Sequence, residues 1–158
     1  MNPPDIATED PRTPDVRALL EEHLRYSTFD TPPEDVHALE IDGLLDPSVT
    51  FVTARRDGSL LGFGAIKHLD SDHCELKSMH VAEAVRGGGV GRALLEHLLS
   101  LAVGSSAKRI SLETGGSGSF APARAFYLTA GFEPCGPFAD YREGTTSVFM
   151  TRVLKNPL

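Results

Sequence analysis

Residues 81–99, VAEAVRGGGVGRALLEHLL, decide the reading of this chain. The first residues end a strand, the centre Arg86-Gly87-Gly88-Gly89-Val90-Gly91 is a glycine-rich turn, and the remainder is helical. Val90, Ala93, Leu94, His97, Leu98 and Leu101 recur at helical spacing and mark one apolar face. The first turn of a helix leaves amide donors without intrahelical partners, and the helix dipole adds partial positive charge there. Glycines remove the Cβ atoms that would hold an anion off the backbone. The stretch therefore reads as a cradle for a pyrophosphate.

Outward from this loop the chain divides into an antiparallel first half and a crossover second half. Val49–Arg56 is rich in β-branched residues, Asp57-Gly58 is a two-residue hairpin signal, and Ser59–Leu69 returns as the partner strand, with bulges expected at Gly62 and Gly64. Cys74–Val81 is the third strand of that meander. After the loop and its helix, which Gly104 ends, Lys108–Thr114 is a strand expected to lie parallel to 74–81. Pro122 opens a helix carrying Ala123, Phe126, Tyr127 and Ala130 at i, i+3, i+4 and i+7, and Gly131 stops it. A short strand from Phe132 to Cys135, a loop over 136–145 and a strand over 147–154 complete the chain.

Upstream, a short strand is expected at Asp5–Thr8. Thr13-Pro14-Asp15 starts a helix that runs to about Tyr26. A second helical piece is expected around Glu34–Leu39 and an irregular link over 41–47. The sum is a single domain over residues 1–158, of the α/β class, with a central mixed sheet and helices on both faces.

Composition bounds the function. A 158-residue chain with 41% hydrophobic and 23% charged residues is long enough for one sizeable core. A formal net charge of −7 argues against nucleic-acid binding and suits a neutral or cationic substrate. No apolar run is long enough to span a membrane, and the proline-rich acidic N-terminus lacks the features of a signal peptide. Cys74 and Cys135 match no metal or redox spacing, so two buried thiols in a reducing cytoplasm are expected. No His/Cys/Asp cluster has ligand spacing, so no metal is expected.

The glycine pattern excludes two common phosphate binders. A dinucleotide fingerprint, G-x-G-x-x-G/A, fails because Leu94 or Arg92 stands at its third position. A P-loop fails because Gly91 is followed by Arg92-Ala93 rather than Lys and Ser or Thr. Gly115–Ser119 is not a nucleophile elbow either, since its last position is serine.

The pattern that remains, Arg86-x-x-Gly89-x-Gly91, resembles the acyl-CoA-binding motif of the GNAT superfamily of N-acetyltransferases. Downstream, residues 123–132, ARAFYLTAGF, resemble the A-x-x-F/L-Y-x-x-x-G-F block of the same family. The two blocks stand in the family's order and spacing, and the resemblance covers about residues 49–154. The wording at 75–79, 112–115 and 120–124 is similar to a bacterial subgroup, the YsnE-like acetyltransferases.

The resemblance implies acetyl-CoA as co-substrate and a primary amine as acceptor, a small molecule in preference to a protein, attacked directly in a ternary complex. It implies that the amides of Gly87, Gly88, Gly89, Val90, Gly91 and Arg92 hold the pyrophosphate, with Arg86 and Arg92 adding charge or fixing the loop. It implies that strand 75–81 splays from strand 109–114, so that Met79, His80 and Val81 pair with the pantetheine arm. Tyr127 would protonate the departing thiolate, a role that suits a phenol with a pKa near ~10. Many members carry Asn where this chain has Phe120, seven residues before the tyrosine, and that departure keeps open a non-catalytic CoA-binding sensor as the alternative function.

A carboxylate is expected to take the amine proton. Glu75 is preferred, Glu113 is the alternative, and His68, His73 and His80 are the remaining titratable groups near neutrality. Simple alternation places Glu75, Lys77 and Met79 on one strand face. The resemblance further implies that the first helix and the loop 136–145, with Tyr26, Phe29, Phe138 and Tyr141, frame the acceptor, where Asp140 and Glu143 could attract a cation. A homodimer is compatible with the chain.

Overall fold

A computed structural model describes residues 3–24, 40–116, 118–141 and 147–154. Seven strands form one sheet: β1 (Asp5–Thr8), β2 (Val49–Arg56), β3 (Ser59–His68), β4 (His73–Val81), β5 (Arg109–Gly115), β6 (Glu133–Cys135) and β7 (Ser147–Val153). Their order across the sheet is β1-β2-β3-β4-β5-β7-β6. Every neighbouring pair is antiparallel except β4 and β5, which are parallel. Among the described residues, and beside the helical residues 40–44, the helices that accompany the sheet are α1 (Pro14–Leu24), α2 (Val90–Gly104) and α3 (Ala121–Thr129). The expected piece at 34–39, together with Tyr26, Phe29 and Glu143, lies outside the described residues.

The two faces of the sheet carry separate apolar clusters. On one, Leu94, Leu95, Leu98 and Ala102 of α2 and Tyr127 of α3 pack onto Val52, Ile66, Leu76, Ile110, Leu112 and Met150. On the other, Val16, Leu19 and Leu20 of α1 pack with Ile41, Leu44, Phe51, Phe63 and Ala65. Full burial of a leucine-sized side chain contributes about 1.5–3 kcal/mol, so these two clusters fix which face each helix takes. The expected mixed sheet with helices on both faces is what forms. The link expected to be irregular is partly ordered: residues 40–44 are helical, because Ile41 and Leu44 sit three apart and both find the α1 cluster. At the sheet edge, Arg55 of β2 bonds Asp15 of α1 at 2.7 Å and Glu9 at 2.8 Å, and the guanidinium holds the Asp15 carboxyl down at about 2.

Of the two bulges expected in β3, the one beside Gly62 occurs, whereas at Gly64 the extra residue belongs to β4. The register shifts between Ala54 and Arg55 against β2, where Gly62 pairs, and between Phe63 and Ala65 against β4. The second shift matters for the site. It brings two β4 residues opposite Gly64, and Ser78 there adopts a left-handed φ of 54°. Ser78 is held by its hydroxyl, which donates to Glu40 of the helical turn. A bulge adds one residue and so reverses the alternation of side chains beyond it. Met79 consequently packs with the α2 cluster, and His80 joins Phe63 on the α1 side. The expectation that Met79 shares a face with Glu75 is corrected by this bulge.

Gly62 is fixed by close approach. A Cβ there would lie 2.7 Å from the His80 carbonyl oxygen and 3.2 Å from the Val81 Cα. Those are backbone atoms that cannot rotate away, so Gly62→Ala must push β3 and β4 apart. The expected cost is about 1–3 kcal/mol, read as a lower urea midpoint. An unchanged midpoint would show that the strands can separate there without penalty.

Candidate active site

The polypeptide leaves β4 at Val81, makes a 3₁₀ turn over Glu83–Val85 and runs extended through Arg86. Arg86 folds back so that its Nε donates to the Val81 carbonyl at 3.1 Å, which pins the base of the loop. Gly87 and Gly89 have φ of +83° and +87°, and a Cβ at either would meet nothing within 4 Å. These positions need glycine for the left-handed turn, and the space before them is open. Gly89 caps α2, whose first backbone bond runs from Ala93 N to Gly89 O at 3.0 Å. The amides of Val90, Gly91 and Arg92 thus have no intrahelical acceptor, and no acidic side chain stands in that first turn. The loop fits an anionic group such as a pyrophosphate.

Beside the loop the sheet opens. The β4–β5 ladder contains three pairs, ending with Glu75 opposite Ser111. Beyond that point, Leu76, Lys77, His80 and Val81 stay paired to β3 on either side of the bulge, while no further pairing to β5 occurs among the described residues. The expected splay is present, and Met79, His80 and Val81 lie on the opened strand. Gly91 joins the parts: a Cβ there would touch Val81 at 3.5 Å, Met79 at 3.8 Å and Phe126 at 3.8 Å. Phe126 in turn stands edge-on to Tyr127, ring centroids 5.3 Å apart. The glycine loop, the opened strand and the tyrosine helix therefore meet at one place.

Tyr127 is 9% exposed and wedged between Phe126 and Phe132. Burial pushes its phenol up to about 12, so it is a proton donor throughout the neutral range. Its hydroxyl has no hydrogen-bond partner among the described residues. Phe120 reaches no polar role; its ring lies over Gly115 at the end of β5, so close that a Cβ there would fall 2.2 Å from it. Arg124 Nη1 bonds the Gly115 carbonyl at 2.7 Å and closes this corner.

The α1 side of the opening carries different chemistry. Glu75 is 4% exposed, and Tyr141 donates to its Oε2 at 2.5 Å. Tyr141 packs on Phe138 and Phe149, with ring centroids 5.1 and 5.4 Å away. Glu113 is exposed and accepts from Ser147 at 2.9 Å. Of the two carboxylates singled out in the sequence, only Glu75 is buried at the point where the strands part. His80 is turned away towards α1: its Nδ1 lies 3.3 Å from Nδ1 of His23, and its Nε2, 3.9 Å from Glu22, has no hydrogen-bond partner among the described residues. Burial, and the neighbouring His23 and Arg86, bring the His80 imidazole down to about 3, so it is neutral at pH 7. His73 bonds Ser111 at 2.7 Å below the opening, and His68 lies 3.4 Å from the Cys74 thiol. Cys74 is buried as expected, whereas Cys135 on the edge strand β6 is partly exposed.

Tyr141 was a weak sequence signal, one aromatic in a loop, and its bond to Glu75 spans 66 positions. The Ser78 bulge had one usable hint, the glycine opposite it in β3. Among the described residues no group of three or more His, Cys, Asp or Glu could hold a metal ion, and no helix is long and apolar enough to cross a membrane.

The family model described as Acetyltransferase (GNAT) family matches residues 16–132. The uncharacterized N-acetyltransferase YsnE of Bacillus subtilis is 44% identical over 139 residues, covering 88% of this chain and 92% of that protein. The IAA acetyltransferase of Azospirillum brasilense is 37% identical over 151 residues, covering 94% and 97%. Among solved structures, an acetyltransferase from Streptococcus agalactiae superposes with a TM-score of 0.76 at 22% identity, covering 98% of this chain and all of that one, a likeness of fold. The matched residues run unbroken through the opened strand, the glycine loop and the tyrosine helix, so the geometry and the relationship point the same way: this chain is an acyltransferase and belongs to the GNAT acetyltransferase family.

Proposed function

We propose that the protein transfers the acetyl group of acetyl-CoA to a primary amine of a small molecule, by direct attack within a ternary complex. The observation that carries this reading is the opening between β4 and β5, with a buried phenol on its α2–α3 side and a buried carboxylate on its α1 side. Two reactants can enter such an opening from opposite faces and meet at the parted strands. The relative named IAA acetyltransferase supports a small acceptor over a protein.

In this reading the amides of Gly87–Arg92 bind the pyrophosphate, and the opened edge at Met79–Val81 takes the pantetheine amides as an added strand. A backbone amide on that edge stabilises the negative charge that develops on the thioester oxygen. Glu75 accepts the proton of the amine as its nitrogen bonds to the carbonyl carbon. Tyr127 donates to the sulfur as the carbon–sulfur bond breaks, the thiolate draws its proton through that hydroxyl, and solvent restores the phenol. No enzyme-bound acyl group is needed, because the thioester is already activated and both reactants are held in place.

The test is acetyl transfer to spermidine, tyramine, kanamycin and a lysine-containing peptide, with products read by mass. An acetylated small amine with matching release of CoA thiol is expected; acetyl-CoA left intact with the whole panel would overturn the reading. Glu75→Gln is expected to lower kcat/KM for the amine about 10²-fold or more at neutral pH. The deficit should shrink as pH rises and more of the amine is already neutral. Unaltered kcat/KM in that variant would remove Glu75 from the proton path.

A further inference from the structure

We propose that Tyr141 is a positioning residue for Glu75: its hydroxyl holds one carboxylate oxygen, so that the other is presented to the incoming amine. This rests on the reading of Glu75 as the proton acceptor.

A carboxylate as buried as Glu75 needs hydrogen-bond donors, and it sits where the β4–β5 ladder has ended. No lysine or arginine pairs with it among the described residues. Its donor is the Tyr141 phenol, at 2.5 Å from Oε2. That length is typical of an O–H donor to an ionised oxygen.

The phenol is held in place from both sides. Phe138 and Phe149 flank its ring, themselves 5.9 Å apart, and His73 backs Phe138 at 5.7 Å. The main chain closes a turn, Tyr141 N to Phe138 O at 3.0 Å, with Ala139 at a left-handed φ of 51°. Burial above all, then the hydrogen bond to the Glu75 carboxylate, with smaller contributions from the negative charge of Glu113 of β5 and Glu40 of the helical turn, push its phenol well above the ordinary tyrosine range. Tyr141 is therefore a donor at every working pH and cannot itself take the amine proton. His73 and Lys77 of β4 are the nearest basic residues along the strand that carries Glu75, and neither forms an ion pair with it.

The arrangement settles a geometric matter that alternation along β4 cannot. A free carboxylate swings about its terminal torsion, which is broad. Pinning Oε2 removes that freedom and orients Oε1, as expected of a supporting hydrogen bond to a catalytic base.

The test compares wild type, Tyr141→Phe, Glu75→Gln and the double variant, with spermidine as acceptor probe and tyramine as a second probe. Tyr141→Phe keeps the ring and its packing. It is expected to lower kcat/KM for the amine about tenfold and to move the acid limb of its pH profile upward, because a donor that favours the ionised carboxylate has gone. KM for acetyl-CoA and the melting temperature should stay as in wild type. In the Glu75→Gln background, Tyr141→Phe should add almost nothing; a merely structural tyrosine would lower activity in both backgrounds alike. A Tyr141→Phe profile superimposable on wild type, or full additivity in the double variant, overturns the proposal. Full activity of Glu75→Gln would instead overturn the reading of Glu75 as base, and this proposal with it. Should Tyr141→Phe melt early, Phe149→Leu is the second variant: it loosens the ring that carries the hydroxyl, so it should lower kcat/KM for the amine with Glu75 in place and add almost nothing in the Glu75→Gln background, and an equal loss in both backgrounds would overturn the proposal.

Discussion

Tyr127→Phe is expected to lower kcat by about 10²–10⁴-fold, with acetyl-CoA affinity close to wild type. The variant removes one oxygen from a ring whose packing against Phe126 and Phe132 is retained, so fold and cofactor cradle should survive. The loss should fall on the step in which the thiolate leaves, because that is where a donor on the α2–α3 side of the opening has work to do. The phenol lies at about 12, raised by burial, so the wild-type enzyme should show no basic limb attributable to Tyr127 below about pH 11. The sign follows from the chemistry: burial disfavours the phenolate, so the proton needed for donation is retained as pH rises. Steady-state turnover with calorimetric binding of acetyl-CoA separates the two parameters. Turnover equal to wild type would take Tyr127 out of the mechanism.

Gly89→Val is expected to act at the other end of the same site. The position has φ of +87°, where a β-branched residue is strained by about 1–3 kcal/mol. A valine there either distorts the turn or projects into the open space before the amides of Val90, Gly91 and Arg92. Both outcomes should weaken acetyl-CoA binding by about tenfold or more, the factor that ~1.4 kcal/mol represents. Gly104→Ala is the matched control. It ends the same helix, its φ is not left-handed and a Cβ there meets nothing within 4 Å, so binding should be untouched. Equal acetyl-CoA affinity in Gly89→Val and wild type would show that the loop does not hold the cofactor.

The two variants also test whether the site works as one piece. Gly91 lies where an added Cβ would meet Val81, Met79 and Phe126, so a displacement of the helix start can reach the opened strand and the tyrosine helix. A small loss of kcat in Gly89→Val, beyond its effect on affinity, is the expected trace of that contact.

Much of this was legible along the chain because it is local. The glycine turn, the helical spacing from Val90 to Leu101, the Asp57-Gly58 hairpin and the Tyr127 block each depend on residues within one or two turns of one another. Helices on both faces followed from the same patterns, since a strand–loop–helix–strand run builds a parallel pair beside an antiparallel meander. Residues 40–44 are helical where an irregular link was expected from Ile41 onward, because Ile41 and Leu44 find the α1 cluster, a tertiary contact that local spacing does not reveal.

What the chain by itself determined, then, is the parallel β4–β5 pair, the glycine-rich loop between them and the tyrosine helix that follows. Tertiary structure alone decided the faces and the partners. The bulge at Ser78 exists because two residues of β4 meet Gly64 of β3, and it moves Met79 to one side of the sheet and His80 to the other. Along the chain Glu75 is only slightly preferred to Glu113, but of the two only Glu75 is buried where the ladder ends, and only Glu75 is met by Tyr141 from 66 positions away. The physical reason is the same in each case. Backbone preference acts over a few residues, whereas strand register, burial and long-range hydrogen bonds are set by which segments pack together, and it is these that make one carboxylate chemically distinct from another.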